Sequence, residues 1–571
     1  MGGNTRGGSG SHYDAIVVGS GFGGGVSAYR FAREGMSVCV LERGKAYGPG
    51  DFPRSPHDMS RNFWDPSEGL QGMFDIWAFS GIRAVVCSGL GGGSLIYANV
   101  LLRKDPNWFV HQPMPGGEVE EWPVTYGDLV PHYDAVEQMM NVQKYPLDQP
   151  PYDQTSKTHA FREGAEAAGL EWRLPNLAVT FANDGRPPVP GERIEEPGNI
   201  HGKPRVTCRL VGECDAGCNY GSKNSIDYTY LSRAADEGAE ILTRREVRSF
   251  ERRPDGGFVV RYVEHTDAYE GRKVDTSLFP EREMTCDRLV LAAGTLGTTY
   301  LLLKNLSAFK DLSPMLGRRF SGNGDFLGLV FRARRPDGAP WILNPSFGPV
   351  ITSYGRRGDE VDGDGSTGRG FYVEDAGYPQ FVNWLVESGL PGQASRAARF
   401  LIERGWARLT KRPGTRMGSP LSKLLGRNLL TATSVPLLGM GRDVPDGNMR
   451  LHDGLLDVDW SSKASRAYFG RVNDTMRAVA RYLGGWYVSF WWLNFLVTVH
   501  PLGGCPMGAD PTKGVVDPYG QVYGYPGLSI ADGSVMPGPV GANPALTIAA
   551  LADRSADRTI EQWKETRRAR A

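Results

Sequence analysis

The chain is poor in features that would mark a disulfide scaffold, a nucleic-acid binder or a membrane-spanning protein. Seven cysteines in 571 residues form an odd and sparse set, which fits reduced thiols. There is no charge excess: Lys plus Arg and Asp plus Glu number 64 each, so the basic balance of a general nucleic-acid binder is excluded. No apolar run reaches membrane-spanning length; the longest is "WYVSFWWLNFLV" at 486–497. The leader "MGGNTRGGSGSHYD" has no apolar core, so no signal peptide and a cytoplasmic location are expected. Low-complexity repeats are missing too. The 75 glycines fall in short motifs and read as turns and close backbone approaches. The length exceeds one ordinary core, so two or more domains are expected.

The first motif is "YDAIVVGSGFGGGVSAYRFAREGMSVCVLERG", read as strand, tight turn, helix and strand. Gly19, Gly21 and Gly24 make G-x-G-x-x-G, which permits the sharp turn, approach of a pyrophosphate and tight helix–strand packing. The phosphates would sit on the N–H groups of a helix starting near Gly23. The second strand ends at Glu42, 18 residues after Gly24, where an acid can take both hydroxyls of an adenosine ribose. That disfavours NADP and leaves NAD and FAD open. A second glycine-dense turn, "CSGLGGGSLIYANVLLR" at 87–103, favours FAD, because a bulkier cofactor needs a second backbone surface. The turn carries no evident covalent tether, so FAD is expected to be dissociable. Near the C-terminus, "LSIADGS" reads as a buried strand, "VMPGPVGANP" as a loop and "ALTIAALADRSADRTI" as a helix. Asn543-Pro544 opens that helix, whose N-terminus can face an anionic cofactor. Asn543 is equally suited to be a plain N-cap.

In this order these motifs, with "HPLGGCPMG" at 500–508, resemble the glucose–methanol–choline (GMC) family of FAD-dependent oxidoreductases, nearest to its non-covalent cholesterol oxidase branch. The resemblance implies an α/β fold: a Rossmann-like FAD domain assembled from separated segments, and a substrate domain built on a β-sheet. It implies alcohol oxidation by hydride transfer to flavin N5, with His500 and Asn543 at the substrate hydroxyl. A neutral imidazole can accept that proton near neutral pH, and an amide can donate to the developing alkoxide. Glu374, in "GFYVEDAGYPQF" at 370–381, matches by position the glutamate base of that branch; a solvated turn carboxylate is the competing reading, for it and for Asp375. Cofactor contacts are implied at Gly19, Gly21, Phe22, Gly23, Gly24, Glu42, Arg43, Gly92, Gly93, Ser94, Asn99, Val247, Asp532, Gly533, Asn543, Pro544 and Ala545.

Two stretches hint at a lipophilic alcohol. The aromatic run at 486–497 is either a pocket wall or a core strand. Residues 395–412 place Ala398, Leu401, Ile402, Trp406 and Leu409 at helical spacing, and 396–427 holds nine Arg/Lys against one Glu, net +8. That pattern fits either a lid over the pocket or a peripheral contact with an anionic membrane. Cys208, Cys214 and Cys218, spaced C-x5-C-x3-C, match neither zinc nor iron–sulfur spacing, and are expected to be packed thiols with no metal. "RRGDEVDGDGSTGRG" at 356–370 reads as a mobile loop. The expected layout is a FAD domain over 12–310, a substrate domain over 311–495, and a returning FAD segment over 496–565. Oxygen or another electron acceptor would serve as the oxidant. A flavin-binding protein without alcohol oxidation is the reading from another class.

Overall fold

The computed structural model describes residues 10–114, 117–357, 369–389, 391–410, 422, 429–489, 491 and 496–570. The segment 358–368, most of the loop expected to be mobile, lies outside them, as do 490 and 492–495 of the aromatic run and 411–421 and 423–427 of the basic stretch.

Two sheets organise the chain. The first has a parallel core: Glu240–Leu242, Val38–Leu41, His12–Val18 and Arg282–Leu291, in that order. Its inner strands are β-branched and almost wholly buried, as a sheet covered on both faces requires. The long strand Arg282–Leu291 serves two partners along one edge. Its first half pairs antiparallel with Phe258–Glu264, and its end pairs parallel with Leu528–Ile530. The C-terminal segment thus returns to the strand beside the one that begins the chain. Helix Phe22–Arg33 packs against the last helix, Ala545–Arg570, and Arg30 pairs with Asp553 and Asp557 across that contact.

The second sheet is antiparallel, in the order Glu171–Arg173, Tyr354–Arg356, Phe371–Asp375, Val435–Gly441, Phe326–Phe331, Trp486–Ser489. Phe371–Asp375 is buried at every position. Helix Arg466–Tyr482 covers the sheet with Tyr468, Phe469, Val472, Met476 and Val479, a helical-period stripe. The edge strand Glu171–Arg173 comes from within the 12–310 span, so the two sheets interleave in sequence. Trp486 and Val488 sit on the other edge strand and are exposed, while Tyr487 turns inward. Residues 486–489 of the aromatic run are therefore an edge strand, and Trp491 packs edge-on against the core residue Phe326.

Candidate active site

The cofactor cradle is made of backbone. Helix Phe22–Arg33 begins at Gly21 with no side-chain cap and no acid in its first turn, so its first N–H groups are open to an anion. A Cβ on Gly23 would lie 1.5 Å from Ala531 O, so only glycine lets the helix meet the C-terminal segment. The second turn, a 3-10 turn at Gly92–Leu95, meets the first: Gly92 has φ +54°, and its Cβ would lie 2.7 Å from Gly21 Cα. Gly93 borders open space, with nothing within 4 Å of a Cβ. Gly19 and Gly24 pack the turn against itself and Ala292, and Phe22 meets Tyr97 edge-on at 5.4 Å. Ser94 Oγ donates to Gly91 O at 2.7 Å and accepts from Ile226 N at 3.0 Å.

Glu42 is buried beside the first turn. Ser20 N and Oγ donate to its Oε2 at 3.1 and 2.6 Å, and Gly44 N donates to Oε1 at 2.8 Å. Burial raises its pKa, and these donors oppose the rise. The guanidinium of Arg43 is committed elsewhere: it pairs with Asp75 at 2.6 Å and lies 5.2 Å over the Trp64 ring. Val247 is buried where strand Arg245–Arg252 slips register against its neighbour, which frees local backbone groups. Asn99, with φ +70°, is fully buried beside Cys214, and neither amide atom makes a hydrogen bond at normal distance. Asp532 caps the turn Gly533–Val535 through Ser534 N at 2.9 Å and also accepts from Gly294 N at 3.0 Å. Ala545 begins the last helix, and the carbonyl of Pro544 just before it accepts from Ile548 N at 2.9 Å. Open N–H groups, a buried acid and an orphaned amide along one backbone trough fit FAD.

One strut of this cradle escaped sequence reading. Lys223 Nζ donates to Leu95 O at 2.8 Å, Tyr97 O at 3.0 Å and Cys214 O at 2.8 Å, tying the second glycine turn to the cysteine segment. Cys208 is buried and Cys214 and Cys218 are half-buried, all as free thiols. Among the described residues no cluster of His, Cys, Asp and Glu could hold a metal.

The three candidate catalytic groups converge from separate segments. His500 Nδ1 lies 2.9 Å from Asp325 Oδ1. Asp325 is buried, and its other oxygen accepts from Thr498 Oγ1 and Val499 N, each at 2.9 Å. With a carboxylate as its partner, Nδ1 carries the proton, and Nε2 presents its lone pair. Glu374 is fully buried, and neither carboxylate oxygen makes a hydrogen bond at normal distance. Burial pushes its pKa well above the usual carboxylate range; the facing Asn543 amide opposes the rise, and the Asp375 and Asp325 carboxylates add to it. Burial thus favours the protonated form of Glu374. Its neighbour Asp375 points to the other face of the strand, where Lys157 Nζ, Thr352 N and Oγ1 and Ser353 N bind it at 2.6–3.1 Å. Neither carboxylate is the solvated turn residue that the sequence left open. Asn543 is buried with Oδ1 unpartnered, an acceptor left open to a ligand.

Two positioning residues also escaped sequence reading. Asp325 holds His500, and Asn323 holds the loop before Asn543: Gly541 N donates to its Oδ1 at 2.7 Å, and its Nδ2 donates to Ala542 O at 2.9 Å. Both lie in "SGNGD", 321–325. One short turn thus holds both His500 and the loop before Asn543.

The chain is 30% identical over 567 residues to cholesterol oxidase of Mycobacterium tuberculosis, spanning 95% of this chain and 90% of that protein. It is 26% identical to cholesterol oxidase of Acinetobacter baumannii, spanning 97% and 96%. Pyridoxine 4-oxidase from Mesorbium loti shares the fold, with a TM-score of 0.53 at 17% identity over 95% of this chain and 98% of that one. Residues 474–552, which include His500 and Asn543, match the family model described as GMC oxidoreductase. With the glycine cradle and the paired sheets already in place, these likenesses settle the family: the chain is an alcohol oxidoreductase of the GMC family.

Proposed function

We propose that the protein oxidises a lipophilic, sterol-like alcohol with non-covalently held FAD as cofactor. The observation that carries this reading is the Asp325–His500 pair, with a fully buried Glu374 that faces the Asn543 amide. FAD held between the Gly19–Gly24 and Gly92–Ser94 turns supplies a hydride acceptor at N5. The chain's own groups handle the hydroxyl proton. His500 Nε2 accepts it, because Asp325 fixes the tautomer and offsets the imidazolium charge as it forms. Asn543 Nδ2 steadies the alkoxide oxygen as its charge grows. In the oxidase branch that this sequence resembles, a glutamate acts as the base. Here burial favours the protonated form of Glu374, which suits it as a hydrogen-bond donor and leaves His500 as the acceptor.

The lipophilic substrate is supported by the two cholesterol oxidases named above and by the burial of Glu374 and Asn543. The test is anaerobic titration of the holoprotein with sterols, long-chain alcohols and short polar alcohols. Bleaching of the flavin bands by the first two alone supports the reading; bleaching by polar alcohols alone overturns the substrate class. Fast return of colour in air identifies oxygen as acceptor, and slow return identifies another carrier. A His500→Ala protein whose flavin is reduced at the parent's rate would sink the catalytic assignment.

A further inference from the structure

We propose that the helix Pro391–Leu409 is a docking arm for an anionic phospholipid bilayer, joined through one intervening helix to the strand that carries Glu374. The proposal rests on the reading of the substrate as a lipophilic alcohol, which a bilayer would hold.

The arm follows directly from the pocket. Strand Phe371–Asp375 leads within five residues to helix Gln380–Gly389. That helix is pinned to the body: Asn383 Nδ2 donates to Ser346 Oγ at 2.8 Å, and Thr431 N and Oγ1 donate to the buried Glu387 at 2.9 and 3.0 Å. The next helix, Pro391–Leu409, has 19 residues and is about 28 Å long. Its Leu401, Ile402, Trp406 and Leu409 are 68%, 71%, 67% and 79% exposed. At about 100° per residue these four side chains fall within an arc of about 140°. A soluble helix normally turns such a stripe to the core, and here the stripe faces outward.

Charge selects the occupant. Within the helix, four arginines (Arg396, Arg399, Arg404 and Arg408) stand against Glu403, net +3, in a chain whose total is zero. Arg399 falls outside the apolar arc, is exposed, and pairs with Glu403 one turn on at 3.0 Å. An apolar stripe flanked by concentrated basic residues suits the boundary between acyl chains and anionic headgroups. No helix among the described residues is long and apolar enough to cross a membrane, so the contact would be peripheral. An arm joined to the Glu374 strand would bring the pocket to the surface from which the alcohol leaves.

The test is co-sedimentation of the holoprotein with vesicles of phosphatidylserine and phosphatidylcholine, against vesicles of phosphatidylcholine alone. Binding to the anionic vesicles at low salt is expected, falling about tenfold on neutral vesicles and about tenfold when salt is raised. The double variant Ile402→Glu/Trp406→Glu should bind about tenfold less while keeping the parent's melting temperature and flavin spectrum. Arg396→Gln/Arg399→Gln should weaken binding at low salt alone. Absence of binding to anionic vesicles overturns the proposal, as does equal binding by parent and Ile402→Glu/Trp406→Glu. A variant that binds vesicles normally but shifts KM for a dissolved alcohol identifies a lid, and that also overturns it. The vesicle assay contains no alcohol, so its failure leaves the oxidation reading standing. Flavin that no lipophilic alcohol bleaches removes that reading while leaving the vesicle result intact.

Discussion

Glu42 and Glu374 are both buried glutamates, and they sit in opposite surroundings. Glu42, in the cradle, receives three hydrogen bonds from Ser20 and Gly44. Glu374, in the pocket, makes none at normal distance and faces one amide. The first site is satisfied by backbone and a hydroxyl from neighbouring turns. The second is left polar and unmatched inside an apolar strand, an arrangement that costs stability unless a ligand or a proton compensates. The cradle is built to be stable before anything binds; the pocket is built to receive.

The largest effect should come from breaking the cradle. Gly23→Val would drive a side chain into Ala531, whose carbonyl oxygen lies 1.5 Å from the ideal Cβ. The variant should purify without the visible flavin bands, or fail to fold, and visible spectroscopy of the purified protein checks this. Breaking the pocket should instead leave flavin bound and slow its reduction. His500→Ala should lower the anaerobic reduction rate by about 10³-fold, within the usual range for a positioned base. Asp325→Asn should lower it by about 10²-fold, because an amide on Nδ1 no longer fixes the tautomer. Its pH profile should change with it, and stopped-flow absorbance across pH reads both. A flavin-free His500→Ala protein would erase the division between the two regions.

That division also explains what could be read from sequence. The cradle was legible because its parts are contiguous: a strand, a glycine turn and a helix, with an acid 18 residues on. Glycine carries the information there, since no other residue fits Gly23 or Gly92. The pocket was legible only where a motif surrounds the residue, as for His500 and Asn543. Asp325 lies 175 residues before His500, in a segment without a local signature of catalysis. The turn-forming composition of "SGNGD" was visible, but nothing in sequence ties Asn323 to Gly541 and Ala542 or Asp325 to His500. Those contacts come from segments that meet only once the chain has folded. The distinction between Glu374 and Asp375 follows from strand alternation, and it requires knowing which face of the strand meets Asn543.

Smaller effects sharpen the comparison. Glu42→Gln keeps the shape but loses one acceptor oxygen, toward either Ser20 or Gly44, and should weaken FAD binding about tenfold, as expected for hydrogen bonds to a charged group. Fluorescence titration of the apoprotein with FAD measures it.

Glu374→Gln should have the subtlest result and separates the two glutamates by the hydrogen bonds that each loses. The folded pKa of Glu374 is raised above that of the unfolded chain, about 4.3, so the folded state holds a proton that the unfolded state releases. The stability that this proton lends is fully present below the unfolded value and is lost as pH rises toward the folded one. A permanently neutral glutamine escapes that loss, and its Nε2 can donate to the unpartnered Asn543 Oδ1. Glu374→Gln should therefore melt near the parent at low pH and increasingly above it as pH rises past about 4.3. Glu42→Gln starts from a carboxyl whose pKa is also raised, so it should follow the same trend with pH but from a lower melting temperature, because glutamine keeps one acceptor oxygen and turns an NH2 group toward either Ser20 or Gly44. Melting curves of both variants at several pH values decide it. Parallel curves for Glu374→Gln and the parent would mean that the carboxyl is ionised and compensated in the fold, and the acid-donor role assigned to it would fall.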